Sequence, residues 1–454
     1  MKKRLFSIYF LAAGMLPAGA MAQVRALSLQ DCVQIALQRS TAVLKGNNNV
    51  ANAGALVMAA YGQYLPNLVA GASYNYNRGN NLYSSTTPIL VDMGRSQYAY
   101  QLTSSVNLFT GYYNYANKNA AKLNQEMAGL ALDRVKQQIA LDVTTSYLQV
   151  ILDRRIVELD SNNLATSLIR EDQLTMLADI GRRARTDLYQ QQAQTSNDKL
   201  LLINARSKMN NDKLILLQKL RIDSVTNYEI AEIPVNDDAE AGRYGNVDQL
   251  VQQGFQSRPD LRAAELNMNY ADWNIKKYRS GYLPQVSLGA GVYNNGAWFN
   301  HLSLNGNVET PPAQTEIPTQ LYKNTYGLVG LNASWNIFDR YVTRSNVAIA
   351  RISADNSRID LQDTRIAVGT NIRQAHNDYV NAVQQMETVG LGLTAAQKAY
   401  EAVNGKYKEG ATDFVSESNA QQVLLQAQQN KVQASVNVML QKKTLDYFTG
   451  SAIE

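Results

Sequence analysis

The stretch "YGQYLPNLVAGASYNYN", Tyr61 to Asn77, decides the fold. Most of the chain reads as polar, proline-free helix, but from Asn67 onward the residues alternate. Leu68, Ala70, Ala72, Tyr74 and Tyr76 fall on one parity, and Asn67, Gly71, Ser73 and Asn75 on the other. Period two marks a strand. Leu65-Pro66 ends the helix, because the residue before a proline is driven toward extended backbone. The stretch "YRSGYLPQVSLGAGVYNN", Tyr278 to Asn295, makes the same change.

The two switches belong to an internal repeat, which sets the architecture. Tyr64-Leu65-Pro66 matches Tyr282-Leu283-Pro284 at an offset of 218, and Leu68, Gly71 and Ala72 match Val286, Gly289 and Ala290. Asn107-Leu108-Phe109 then matches Asn336-Ile337-Phe338 at 229, and Gly181 matches Gly410 at the same offset. An 11-residue insertion therefore falls between the paired signals. A loop absorbs such an insertion, whereas one residue added to a packed helix turns its apolar stripe by about 100°. No proline occurs between Pro88 and Pro234 or after Pro318. Tyr112 to Ala178 can thus run as one helix of 67 residues, about 100 Å long. Leu132, Val135, Ile139, Val143, Tyr147 and Val150 give it a coiled-coil-like seam.

The repeat predicts two halves. Residues 23–225 hold a helix, strands near 67–77 and 98–109, a long helix at 112–178 and a return helix at 185–222. Residues 247–454 hold a helix, strands near 285–295 and 325–338, a long helix at 340–407 and a return helix at 413–448, with 226–246 as a linker. In the later strands Tyr98, Tyr100, Leu102, Val106 and Leu108, then Val286, Leu288, Ala290 and Val292, then Val329, Leu331, Ala333, Trp335 and Ile337 hold the apolar parity. None of the four strand cores is charged, and each has about ten residues, the length that crosses a bilayer in a tilted barrel. Residues 61–115 and 270–341 contain 17 of the 26 tyrosines, a residue that favours the membrane–water interface. Tyr64, Pro66, Phe109, Tyr282, Pro284 and Phe338, with Tyr112 and Tyr341, mark one such interface, where helix gives way to strand. The other reading of these strands is two soluble hairpins half buried on a core. Four strands cannot close a membrane barrel, and open edges are not tolerated in lipid. Two chains would give eight strands around a filled interior, and three would give twelve around a wet lumen, which the small polar inward faces favour.

The chain opens with Lys2, Lys3 and Arg4, an apolar run from Leu5 to Leu16, and Ala20-Met21-Ala22. This predicts a signal peptide over residues 1–22, the apolar run being too short for a membrane anchor. Without its three cations, 40 Lys+Arg face 38 Asp+Glu, a balance unlike that of a nucleic-acid binder. Cys32, the single cysteine, sits on an apolar helical face and reads as core. His301 and His376 lack partners at metal-ligand spacing, and no nucleotide or hydrolase motif occurs, so no enzyme, metal or cofactor is expected.

"SRPDLRAAELNMNYADWNIKKYRSGYLPQVSLGAG", Ser257 to Gly291, resembles the TolC family of outer-membrane efflux and secretion proteins, and the likeness runs over nearly the whole mature chain. In the first half Ser40-Thr41-Ala42-Val43 stands where Arg258-Pro259-Asp260-Leu261 does later, a departure from the family motif. The resemblance implies a homotrimer with a twelve-stranded barrel in the bacterial outer membrane, continued by a periplasmic tunnel of helices. It implies a passive exit duct for drugs, metals or proteins, docked to a periplasmic adaptor and an inner-membrane pump. A structural coiled-coil protein or surface adhesin is the competing reading.

The tunnel's far ends fall at the turns after Gly181 and Gly410. Arg182, Arg183 and Arg185 in the first turn, and Thr412 and Asp413 in the second, resemble adaptor-contacting tips; Asp413 also suits an N-cap. Nine positions before each glycine lies a carboxylate, Asp172 and Glu401, and three chains would bring six of them to the narrow end as an ion-selective ring. A solvated basic turn and exposed helix charges are the alternatives.

Overall fold

The computed structural model describes residues 25–82, 90–223, 228–232, 246–304, 307–308 and 314–451; the expected signal peptide and most of 226–246 lie outside them. In chain order the elements are β1 (Arg25–Leu27), α1 (Leu29–Arg39), α2 (Thr41–Gly62), β2 (Val69–Leu82), β3 (Leu90–Phe109), α3 (Tyr113–Asp179), α4 (Arg185–Lys219), β4 (Tyr228–Ile230), α5 (Val247–Ser257), α6 (Pro259–Arg279), β5 (Gln285–Leu304), β6 (Asn307–Val308), α7 (Ile317–Lys323), β7 (Tyr326–Ser334), α8 (Val342–Lys408) and α9 (Phe414–Thr449). Both α3 and α8 run 67 residues, at the same 229-residue offset. Two compact units form, each drawing on both repeats: Met1–Thr41 with Lys136–Leu250 and Arg373–Glu454, and Ala42–Val135 with Val251–Ile372.

The second unit carries an antiparallel sheet in the order β2-β3-β5-β7. Its register places Ala72 opposite Tyr100, Leu102 opposite Val292 and Leu288 opposite Leu331, and residues directly opposite share a face. The apolar parity of all four strands therefore forms one continuous face, and Gly71, Gln101, Gly291 and Leu328 begin the smaller, more polar one. A one-residue slip in any strand would mix the two faces. In the free chain Tyr74, Val329 and Leu331 on the apolar face are 69%, 73% and 67% exposed, so nothing among the described residues covers them. The outer edges of β2 and β7 pair with no further strand among the described residues.

The strands run past their uncharged cores. β2 and β3 continue to Leu82 and from Leu90, and β5 reaches Leu304. Charge appears only in these extensions, where Arg78 and Asp92 pair across strands at 3.1 Å and His301 lies 3.5 Å from Asp92. Backbone pairing outlasts the membrane-compatible composition: Arg78, Asp92 and His301, outside the expected strand ranges of 67–77, 98–109 and 285–295, sit on strand. Beyond Tyr293, where β7 ends, side-chain amides satisfy the edge of β5. The Asn324 amide donates to the Asn295 carbonyl at 2.8 Å. Gln320 accepts from the Ala297 N–H at 2.9 Å and donates to its carbonyl at 3.0 Å. Gln314 does the same at Phe299, at 2.5 and 2.8 Å.

In the same unit α3 lies against α2 and α6, and α6 against α8. An added Cβ at Gly46 would meet the Leu132 side chain at 2.7 Å, so small residues let α2 approach closely. Arg134 reaches Asp260 at 3.7 Å, and Arg358 reaches Asp272 at 3.1 Å.

The first unit has its core where Leu27, Cys32, Ala36, Val143, Tyr147, Val150, Ile151, Leu216, Leu220 and Ile230 pack together. A parallel pair of β1 and β4 crosses this core. Tyr147 is fully buried and its hydroxyl donates to the Ala231 carbonyl at 2.7 Å. Cys32 is buried with its thiol pushed up to about 12 by desolvation, as befits an inert core residue.

Among the described residues eight have positive φ, and they pair completely at the repeat offset of 229: Gly111 with Arg340, Tyr112 with Tyr341, Gly181 with Gly410, and Arg221 with Gly450. The backbone repeats more faithfully than the side chains.

Candidate functional site

The turn end of α3, α4, α8 and α9, all within the first unit, contains the candidate tip residues. Gly181 and Gly410 have φ of 72° and 76° and close both long helices. Gly181 N donates to the Ala178 carbonyl at 3.1 Å and Arg182 N to Leu177 at 2.8 Å; Gly410 N donates to Tyr407 at 3.1 Å and Ala411 N to Lys406 at 2.8 Å. These are two Schellman closures, which need the left-handed conformation that glycine adopts without strain. Asp413 N-caps α9, its carboxylate accepting from the Ser416 N–H at 2.7 Å, a bond that holds its carboxyl below the usual range.

The three tip arginines do not act alike. Arg182 and Arg185 are exposed. Arg183 turns inward: its guanidinium lies 4.6 Å from the Tyr407 ring centroid and donates to the Tyr407 carbonyl at 3.3 Å. Tyr407 packs edge-on against Phe414 over Leu174, Ala178 and Leu188, so the two turns share a small apolar core. Burial raises the Tyr407 phenol, whose hydroxyl has no hydrogen-bond partner among the described residues. Thr412 is half-buried.

Asp172 and Glu401 are both exposed and form no ion pair among the described residues. Beside them lies a network that sequence reasoning missed. Arg170, two residues before Asp172, donates to Glu417 at 2.8 Å, to Gln421, and to the hydroxyl of Tyr400 at 3.1 Å. Tyr400 is the neighbour of Glu401, so the network ties the helices carrying both candidate gate carboxylates to α9. Glu417 is fully buried, and desolvation raises its carboxyl against the lowering influence of Arg170. One turn back along α3, at its contact with α4, the Ser167 hydroxyl donates to Asp198 at 2.5 Å, and Gln191 donates to the Ser167 carbonyl at 3.2 Å. On α4 the buried positions Leu188, Gln191, Thr195, Asp198 and Leu202 recur at three- and four-residue spacing. This is a coiled-coil seam whose middle is polar. Polar residues at seam spacing, such as Glu417 and Gln421 following Phe414 on α9, were the sequence signal available.

The helix-to-strand junctions belong to the second unit. Phe109 and Tyr112 meet edge-on at 5.4 Å and 85°, and Phe338 and Tyr341 at 5.6 Å and 85°. Tyr64, Tyr282 and Phe338 are 42%, 49% and 71% exposed, Pro66 is exposed and Pro284 half-buried. The Trp335 indole donates to the Tyr282 carbonyl at 3.1 Å.

An apolar sheet face, two unpaired edges and long helices with matched turns agree with the comparisons. The sequence profile of the outer membrane efflux protein family matches residues 32–220 and 250–451. The outer membrane protein TolC of Escherichia coli is 21% identical over 399 residues, 86% of this chain and 75% of that protein. In fold, the chain is similar to CusC, with a TM-score of 0.78 at 15% identity over 93% of this chain and 92% of that one. It is also similar to VceC of Vibrio cholerae, at 0.75 and 15% over 94% and 97%. With both repeats matched by the profile, the chain belongs to the outer membrane efflux protein family and is an outer-membrane exit duct with a periplasmic helical extension.

Proposed function

We propose that three copies of this chain close one twelve-stranded barrel and form the passive exit of a tripartite assembly with a periplasmic adaptor and an inner-membrane pump. The observation that carries this reading is the sheet itself. One face is apolar across all four strands, and both outer edges present backbone groups that lipid cannot satisfy. Sister chains that pair β2 with β7 remove both edges at once. The opposite face, with Ser73, Asn75, Gln97 and Asn295 around a cavity of about 530 Å³, suits a wet lumen.

The tips at Gly181 and Gly410 are the adaptor-docking ends, with Arg182, Arg185, Thr412 and Asp413 available on the surface and Arg183 bracing the turn from inside. Asp172 and Glu401 form the constriction, and the Arg170 network sets its resting geometry. Energy comes from the pump, and the duct performs no chemistry. A photo-crosslinker at Arg182 or Thr412, used in cells, tests the docking end. Capture of a periplasmic adaptor together with an inner-membrane pump is expected, and capture of sister chains alone would remove the tip assignment. Extraction in mild detergent should give a heat-modifiable trimer, and a monomer with intact strands would sink the ring.

A further inference from the structure

We infer that the second unit carries a binding belt for anionic phospholipid headgroups just below the strands, facing the periplasmic leaflet. The inference rests on outer-membrane placement of the strands and concerns residues to which the duct reading gives no role. Lys118 Nζ lies 5.2, 5.8 and 5.9 Å from the ring centroids of Tyr115, Tyr61 and Tyr64. Lys122 lies 5.5 Å from the Tyr61 ring. Tyr115 meets Trp273 edge-on at 5.5 Å, and Lys276 lies 4.0 Å from the Trp273 ring. A continuous strip of lysine, tyrosine and tryptophan thus crosses α2, α3 and α6. Lys277 and Arg279 in the last turn of α6 and Arg344 near the start of α8 extend the charge.

Two features separate this strip from an ordinary solvated surface. First, none of these six cations has a carboxylate partner among the described residues, whereas Arg134, Arg262 and Arg358, further from the strands in the same unit, are each paired with Asp or Glu. Second, the acids are missing from the sequence itself. None lies from Met93 to Gln125 or from Trp273 to Val308. Lys118 and Lys122 lie about 8 and 14 Å along α3 from its start, within reach of headgroups for side chains that extend toward the interface. The tyrosine and tryptophan rings suit the same depth. A phosphate bearing no compensating ammonium supplies the missing negative charge, whereas a zwitterionic headgroup does not.

The test uses the full chain as purified trimer in a W298F/W335F background, so that Trp273 is the sole tryptophan reporter of the belt. Dihexanoyl phosphatidylglycerol, dihexanoyl phosphatidylcholine and inorganic phosphate are titrated separately below micelle-forming concentration. Phosphatidylglycerol is expected to shift Trp273 fluorescence at least tenfold more tightly than phosphatidylcholine, with no response to phosphate. Each cation near an anionic surface contributes about fivefold, so K118Q/K122Q/K276Q should weaken phosphatidylglycerol binding roughly a hundredfold. K118R/K122R/K276R should keep it, which separates charge from folding. Equal affinity for the two lipids, undiminished binding in the glutamine variant, or equal binding of free phosphate would each overturn the inference. Trimer migration and conductance are read independently, so failure of the belt leaves the duct reading standing.

Discussion

Removing Arg170 isolates the contribution of the buried network. Arg170→Leu leaves Glu417 fully buried without its ion-pair partner and with one carboxylate oxygen already lacking a hydrogen bond. Breaking a buried pair from one side costs about 3–5 kcal/mol; Arg170 keeps 16% of its side-chain surface, which favours the lower end. At about 1.4 kcal/mol per decade, the local opening equilibrium of α9 should rise roughly 150-fold. Hydrogen exchange of the backbone amides from Phe414 to Gln421, read as protection factors, measures this opening directly. The double variant R170L/E417L replaces the pair by apolar volume and should recover most of the lost protection, because a buried ion pair rarely outperforms a packed apolar substitute. The pH dependence supplies a second signature. Burial already lifts the Glu417 carboxyl, and the Arg170 charge opposes it most strongly, with Tyr400 and Lys408 the other opposing groups. Without Arg170 the folded-state value climbs further above the unfolded value of about 4.3. Between those two values the folded state binds the extra proton. Stability of the segment therefore falls as pH rises through the window and returns as pH drops through the raised value. Arg170→Leu should gain protection on going from pH 8 to pH 5, and the double variant should not. If the single variant protects as well as the parent, or the double variant fares no better than the single, Glu417 is not held by Arg170 and the reasoning fails.

At the tips, Gly181→Ala and Gly410→Ala meet no atoms within 4 Å, so their cost is backbone strain alone, about 1–2 kcal/mol. Exchange of the Arg182 and Ala411 amides should quicken for alanine and barely change for asparagine, and a silent alanine would contradict the positive φ. In the sheet, Gly296→Ala drives a methyl group into the hydroxyl end of the Tyr98 phenol. The trimer should dissociate at lower temperature in heat-modifiability gels, and Y98A/G296A should recover part of the loss; equal melting of G296A and parent would mean that Tyr98 does not lie there. At the constriction, D172N/E401Q should raise single-channel conductance or reduce cation selectivity in planar bilayers, and unaltered recordings would take both residues out of the gate.

The legible parts of the fold were those where one physical constraint acts on every residue of a segment. Lipid excludes charge and the pleat alternates faces, so the apolar parity of Leu68–Tyr76 and its three counterparts was visible in the sequence. The register then placed all four sets on one face. The same constraint hid the upper strands. Once the ladder leaves the membrane, Arg78, Asp92 and His301 are allowed, and their charge reads as loop although the backbone pairing continues. The Gln314, Gln320 and Asn324 edge bonds were invisible for a related reason: an amide imitating a strand has no periodicity. The tip network failed to show itself because Arg170, Tyr400, Glu417 and Gln421 each look like ordinary surface residues of a polar helix. Only their convergence across three helices buries them.

The paired left-handed positions show what the repeat preserves. Gly181 and Gly410 kept glycine, and both could be found by identity. Gly111 corresponds to Arg340 and Arg221 to Gly450, so in each pair one copy holds a non-glycine residue at positive φ. That conformation costs an L-residue about 1–2 kcal/mol. The cost is offset where the turn satisfies otherwise orphaned carbonyls. Arg221 N donates to Gln218 and Ile222 N to Leu217, both at 3.0 Å, and Gly450 and Ser451 make the corresponding bonds to Tyr447 and Asp446. Equal helix lengths explain why the strained copy has not simply moved. A residue gained or lost before such a turn would rotate the following helix by about 100° and take its seam out of contact. With α3 and α8 both 67 residues long, the turn positions are fixed by helix phase, and side-chain identity is free to drift as long as the backbone can still reverse there.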